Sequence, residues 1–173
     1  MPHAHLSLQA GDDLILKHMK RRHNREDALR AAEALRKARP GLALGADMIA
    51  GFPTEDEAAH RNGAALIGEM GLAFLHVFPY SAREGTPAAK MPQLPIETRR
   101  ARAAELRRLG EAAQARFLAG RVGREASILV EQEGLGRDET YAAVDLPRHY
   151  VKGDVIAARI GGARAGKLYL EAA

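Results

Sequence analysis

Gly45-Ala46-Asp47-Met48-Ile49-Ala50-Gly51-Phe52-Pro53-Thr54-Glu55 carries an apolar run into a Gly-Phe-Pro break and then a helix cap. From Leu42 to Ala50 the residues are small or aliphatic, the near-continuous apolar run of a strand buried on both faces of a parallel sheet. Gly51-Phe52-Pro53 breaks the run. Thr54 is placed to cap a helix from about Glu55 to Met70, with Glu57 at the capping-box position. Strand, turn and capped helix make a βα unit, and ligands of such sheets bind at the carboxyl ends of the strands. Gly51 removes a side chain at that point. Asp47 is a charge in an apolar strand and has to be paired or functional. A turn with structural roles only accounts for the same residues.

Working outward, His5 to Gln9 alternates as a strand that places His5, Ser7 and Gln9 on one face, towards either a binding interior or solvent. Ala10 to Asp13 is a turn and N-cap before a short helix, Leu14 to Met19. Asn24 caps the next helix, with Asp27 three residues on and Ala28, Leu29, Ala32 and Leu35 at helical spacing. Pro40-Gly41 ends it. Beyond the central stretch, Gly71 stops the following helix and Leu72 to Pro79 is a third strand. This order implies right-handed crossovers and a parallel sheet. Three strands are too few to close and leave an exposed edge, so the sheet is expected to be a piece of a larger one that continues upstream.

Ser81 to Pro95 reads as an irregular loop and Ile96 to about Leu118 as a long helix. After Gly120 the texture changes. Ala126–Val130, Thr140–Leu146, Val155–Ile160 and Lys167–Leu170 are short strand-like runs between Gly and Pro, the pattern of a small antiparallel barrel of about 50 residues. The expected division is 1–95, a connecting helix 96–120, and 121–173.

Net charge is +4 and the pI about 9.6, which makes a polyanion a reasonable partner. There is no cysteine, which excludes disulfides, thiolate nucleophiles and Cys-ligated metal centres in this chain. No leader and no membrane-length apolar run is visible, so a cytoplasmic location and no membrane partner are expected. His18 and His23 are five residues apart, and His3 and His5 lie near the terminus, so no metal site is expected. Lys17 to His23 is a basic run, either a solvated helix end or, through Arg21, a bidentate clamp on a carboxylate. Phe78-Pro79-Tyr80-Ser81, at the end of the third strand, either flanks a flat heterocycle or fills core.

Together these segments resemble the radical-SAM tRNA methylthiotransferases. That family carries, in order, HLSLQSG, MKR, D-x-I-x-GFP-x-E and FPYSxRxGTPA. Here they stand as His5 to Gly11 (with Ala10 where the family often has Ser), Met19 to Arg21, Asp47 to Glu55, and Phe78 to Ala88. The spelling of the first and last is most similar to the branch that modifies threonylcarbamoyladenosine. The resemblance implies an α/β fold: the C-terminal half of a radical-SAM partial (βα) barrel followed by a small all-β TRAM barrel that binds tRNA. It implies addition of a methylthio group to modified adenosine 37, with S-adenosylmethionine and two 4Fe–4S clusters as cofactors, one giving a 5′-deoxyadenosyl radical and the other supplying sulfur.

Carried over by motif position, Ser7, Gln9, Arg21, Asp47, Gly51, Phe78 and Tyr80 are the S-adenosylmethionine candidates. Arg21 takes the carboxylate, and the backbone near Gly51 and Phe78 lies beside the adenosyl group. Arg121, Arg124, Arg137, Arg148, Lys152, Arg159 and Lys167 are the candidates for the tRNA anticodon stem-loop. Without cysteines the chain is expected to be a catalytically incomplete fragment that binds none of these cofactors tightly, with missing N-terminal domains or a partner supplying the rest. A stand-alone RNA-binding protein without chemistry is the alternative.

Overall fold

A computed structural model describes residues 1–171. The elements are β1 (His3–Gln9), α1 (Asp13–His18), α2 (Arg25–Ala38), β2 (Ala43–Ala50), α3 (Glu57–Glu69), β3 (Phe74–Pro79), α4 (Ile96–Ala119), β4 (Glu125–Gln132), β5 (Leu135–Asp138), β6 (Ala143–Asp145), β7 (Val155–Arg164) and β8 (Lys167–Leu170). A 3-10 turn, Pro87–Lys90, interrupts the loop before α4.

The first three strands form a parallel sheet in the order β1-β2-β3. β2 lies between the others, which is why its residues are small and apolar. Leu44, Ala46, Met48 and Ala50 face the helices and pack with Leu66, Met70 and Leu72. α4 closes this core with Ala103, Leu106 and Ala113. Gly110 lets α4 come close, since a Cβ there would sit 3.0 Å from the Cβ of Leu75. The opposite face of the sheet carries the alternate residues: His5, Ser7 and Gln9 on β1, Gly45, Asp47 and Ile49 on β2, and His76 and Phe78 on β3.

Asn24 closes a full capping box with Asp27 at the start of α2, as its sequence implies. The start of α3 differs from expectation. Asp56, not Thr54, is the N-cap and accepts from the Ala59 N–H. Thr54 has a left-handed backbone, φ +74°, and its hydroxyl meets His18 Nδ1 at 2.8 Å. The turn after β2 is therefore one residue-pair longer than a simple cap, and the extra length carries Glu55 into the interior.

The C-terminal part is a closed five-stranded barrel, β4-β5-β6-β8-β7, around Ile128, Val130, Val144, Ile160 and Leu168. Leu118, from the last turn of α4, is part of this core. Two features depart from the sequence reading. Thr140–Leu146 is not one strand: Asp138, 1% exposed, accepts from the Thr140 N–H and hydroxyl and from the Ala142 N–H, folding a tight turn there. β5 precedes that turn and is an additional strand, reached through Gly134 at φ +76°. The barrel is also not purely antiparallel, because β6 and β8 pair in parallel. Among the described residues no helix is long and apolar enough to cross a membrane.

Candidate functional site

The carboxyl ends of β1, β2 and β3 open into a cavity of about 550 Å3 lined by Gln9, Asp47, Ile49 and Phe78 to Ser81, with Arg83, Thr86 and Ala88 from the following loop. That loop is folded back: Tyr80, Ala88 and Met91 pack against Ile15, Leu16 and Phe52. Phe52 and Tyr80 meet edge to face, ring centroids 5.2 Å apart. Arg99 on α4 donates to the Tyr80 carbonyl at 3.0 Å. The Tyr80 hydroxyl is buried and has no hydrogen-bond partner among the described residues.

Of the sequence candidates, Gln9, Asp47, Phe78 and Tyr80 share this cavity. Gln9 ends β1 with φ +72°, which lifts it out of the strand register. Ser7 is exposed on the same sheet face but does not line the cavity. Arg21 is exposed in the turn between α1 and α2, where its N–H bonds the Leu16 carbonyl, and it is not part of the wall. Gly51 has a different task from the one its place suggests. A Cβ there would lie 2.5–2.9 Å from the Cα, Cβ and Cγ of Arg99, so the missing side chain makes room for α4.

The Gly51 N–H is bound as well. It donates to both carboxylate oxygens of Glu55, each at 3.1 Å. Glu55 is 6% exposed and accepts from Arg102 Nη1 at 3.0 Å. The same nitrogen reaches the Glu55 carbonyl at 2.7 Å. His60 Nδ1 lies 3.7 Å from Glu55, while its Nε2 is 2.9 Å from Glu105. Burial pushes the Glu55 carboxyl above its usual range in spite of the Gly51 N–H, Arg102 and His60. This network ties the β2–α3 turn to α4. It has no local signature in the sequence, because Glu55, His60, Arg102 and Glu105 come from the β2–α3 turn, α3 and α4.

Asp47 is paired, as a charge in that strand requires. Its Oδ1 is 2.9 Å from His5 Nε2 and 3.2 Å from His76 Nδ1. Burial alone would raise its carboxyl, but the hydrogen bonds and charges of His5 and then His76 outweigh that and hold it below the usual carboxylate range.

The basic candidates of the barrel separate into two groups. Arg121 is not available to phosphate: its side chain is 11% exposed and clamps Asp138 at 3.0 Å and Glu139 at 2.6 Å. Arg137 pairs with Glu131 at 3.1 Å and lies over the Tyr141 ring, and Lys167 pairs with Asp145 at 3.0 Å. Arg124 and Lys152 are exposed, and Arg148 and Arg159 make only long, exposed contacts to Glu133 and Glu171, at 3.7 and 3.5 Å. On α4, Arg99, Arg102 and Arg107 are held by bonds to the Tyr80, Glu55 and Val77 carbonyls, whereas Arg100, Arg108 and Arg116 are exposed without such a bond among the described residues.

Residues 1–62 match the model of the Radical SAM superfamily. The chain is 44% identical over 166 residues to the threonylcarbamoyladenosine tRNA methylthiotransferase MtaB of Rickettsia prowazekii, a match covering 96% of this chain and 39% of that protein. The chain belongs to the radical-SAM tRNA methylthiotransferase family. A tRNA-2-methylthio-N(6)-dimethylallyladenosine synthase of Cereibacter sphaeroides is 45% identical over 134 residues, 78% of this chain and 31% of that protein. The corresponding synthase of Paracoccus denitrificans is 36% identical over 167 residues, 92% and 38%. The chain thus spans between about three tenths and two fifths of the length of the methylthiotransferases it matches.

The family's cofactors fit this chain unequally. With no cysteine, it has no thiolate for either iron–sulfur cluster. S-adenosylmethionine fits the cavity better. The cavity volume lies within the ordinary range for small-molecule sites, and Gln9 and Asp47 offer polar groups beside Ile49, Phe78 and Tyr80.

Proposed function

We propose that this chain supplies the S-adenosylmethionine-side wall and the tRNA-binding barrel of a tRNA methylthiotransferase that modifies adenosine 37, with its clusters held by cysteines outside the chain. The sheet is then the C-terminal half of a radical-SAM partial barrel, and the five-stranded unit is a TRAM domain. The observation that carries the reading is the joining of Gln9, Asp47, Phe78 and Tyr80, from separate motifs, in one cavity at the strand ends. The Rickettsia threonylcarbamoyladenosine enzyme holds 44% identity over 166 residues, whereas the dimethylallyl synthases reach similar identity only over 134 residues or fall to 36% over 167, which favours the threonylcarbamoyl branch.

S-adenosylmethionine and the clusters supply the radical and sulfur chemistry. The protein's part is positioning: Gln9 and Asp47 contact polar atoms, Phe78 and Tyr80 border the adenosyl group, and the folded-back loop excludes water. Ser7, Gly51 and Arg21 contribute at most from the second layer, since none of them lines the cavity. Transfer RNA is contacted by the exposed cations Arg124, Arg148, Lys152 and Arg159. Tyr150 and His149, their rings 4.3 Å apart in an exposed loop, offer a face for an unpaired base.

The test is filter binding of the chain to folded tRNA across a salt series. If four phosphates are neutralised, log affinity falls with log salt at a slope of about −3, roughly 60-fold between 50 and 200 mM. Arg124→Glu with Lys152→Glu flattens the slope. Binding that is absent at low salt, or indifferent to salt, overturns the RNA half of the proposal.

A further inference from the structure

The parallel register of the first sheet sets His5, Asp47 and His76 in a row across three strands. Asp47 and His76 are direct partners between β2 and β3, and His5 stands opposite Gly45, two residues before Asp47. One ligand atom from each lies within 4.8 Å of the other two. Gly45 makes the cluster possible, because a Cβ there would occupy the space of the His5 ring. Asp47 also lines the cavity at the strand ends, so the cluster adjoins that cavity.

Two imidazole nitrogens and one carboxylate oxygen form the donor set of borderline first-row dications, and three protein ligands leave a position open. Magnesium and calcium prefer oxygen ligands throughout. Ligands at about 2.0–2.1 Å around a tetrahedral ion lie roughly 3.3 Å from one another. The separations of 2.9 and 3.2 Å from Asp47 Oδ1 to the two histidines are already near that spacing. Backbone hydrogen bonding fixes all three Cα positions, so little ordering is required on binding.

We propose that His5, Asp47 and His76 bind a divalent first-row transition cation, with a coordination position left for a ligand in the adjoining cavity. Each imidazole presents its lone pair to the metal from the nitrogen that now faces Asp47, and carries its proton on the other nitrogen. The site stands apart from the iron–sulfur chemistry, needs no thiolate, and does not depend on the tRNA reading.

The test is chelator competition with Zn2+ on the chain as it is, with Co2+ absorbance as a second readout. The expected result is one ion bound at about 1 µM or tighter, d–d bands of a low-coordinate N/O site, and no displacement by excess Mg2+. His5→Ala, His76→Ala and Asp47→Asn should each weaken binding by more than the roughly 10–100-fold that outer-shell partners alone are worth. His18→Ala should leave it unchanged. Affinity that is the same with and without His5 and His76, or weaker than about 100 µM, or lost to Mg2+, overturns the proposal. If a variant loses its circular dichroism signal, paramagnetic shifts of the His5 and His76 ring protons in Co2+-loaded wild type decide the matter. Shifts confined to other histidines refute it.

Discussion

Replacing Arg102 by Met keeps most of the arginine stem but leaves the Glu55 carboxylate buried without its cation. Breaking a buried ion pair by removing one partner costs about 3–5 kcal/mol. Here the cost has a ceiling, because Glu55 can take up a proton instead. Its ordinary pKa is 4.5 and the folded value lies above that, so protonation at pH 7.5 spans fewer than three pH units at about 1.4 kcal/mol each and costs less than roughly 4 kcal/mol. At pH 5.0 the same ceiling lies below about 0.7 kcal/mol. The lost bond from Arg102 to the Glu55 carbonyl adds about 1 kcal/mol at either pH.

The sign follows from the direction of the shift. The folded pKa of Glu55 is raised, so the fold disfavours its ionised form. That penalty is present above the folded pKa and disappears as pH falls through it. Without Arg102 the folded pKa rises further. His60 and Glu105 are common to both proteins. Urea denaturation followed by circular dichroism should therefore show Arg102→Met less stable by about 3–4 kcal/mol at pH 7.5 and by about 1–2 kcal/mol at pH 5.0. A deficit below about 1 kcal/mol at pH 7.5, or one equal at the two pH values, would refute the argument that Glu55 is a buried charge held by Arg102.

Gly51→Ala combines a left-handed backbone with a collision against the Arg99 backbone; thermal unfolding should show a loss of at least about 2 kcal/mol, and an unchanged midpoint would contradict the packing role. Arg121→Ala should unfold the barrel rather than weaken RNA contacts selectively, costing about 3–5 kcal/mol by leaving Asp138 and Glu139 unpaired, whereas Arg124→Ala should leave stability within about 0.5 kcal/mol. For Glu139, burial raises the carboxyl, but its own backbone N–H, Arg121 and the Ser127 N–H outweigh this and lower it. Its contribution is present above the ordinary value of 4.5 and is lost as pH falls through the lower folded pKa, so Glu139→Gln should narrow the stability gap to wild type on acidification; a constant gap would count against it.

The parallel sheet was legible because a long apolar run ending in Gly-Phe-Pro has few other uses, and Asn24 and Asp27 announce their cap locally. The true cap of α3 was less visible. Thr54 and Asp56 are both good caps, and only the contact between Thr54 and His18, 36 residues apart, separates them. β5 was overlooked because Leu135 to Asp138 is four residues long with two charges, and its boundary is set by the turn around the Asp138 carboxylate. The parallel pairing of β6 with β8 is a property of closure, without a local signal.

The site followed the same division. Asp47 stood out as a charge in an apolar strand, yet the histidines that pair with it come from other strands and are aligned only by register. His76 was one polar residue in a short apolar segment and drew no notice. Helix spacing was the wrong template for a cluster built across a sheet. Arg21 read as a carboxylate clamp and Arg121 as a phosphate contact because sequence shows charge but neither distance from a cavity nor a buried counterion.

The central claim is tested most directly by replacing the matching segment of the Rickettsia methylthiotransferase with this chain, reconstituting both clusters, and analysing tRNA nucleosides by mass spectrometry. The account predicts methylthiolated threonylcarbamoyladenosine at position 37. Unmodified threonylcarbamoyladenosine, from a folded hybrid with full iron content and beside an active parent enzyme, would contradict it.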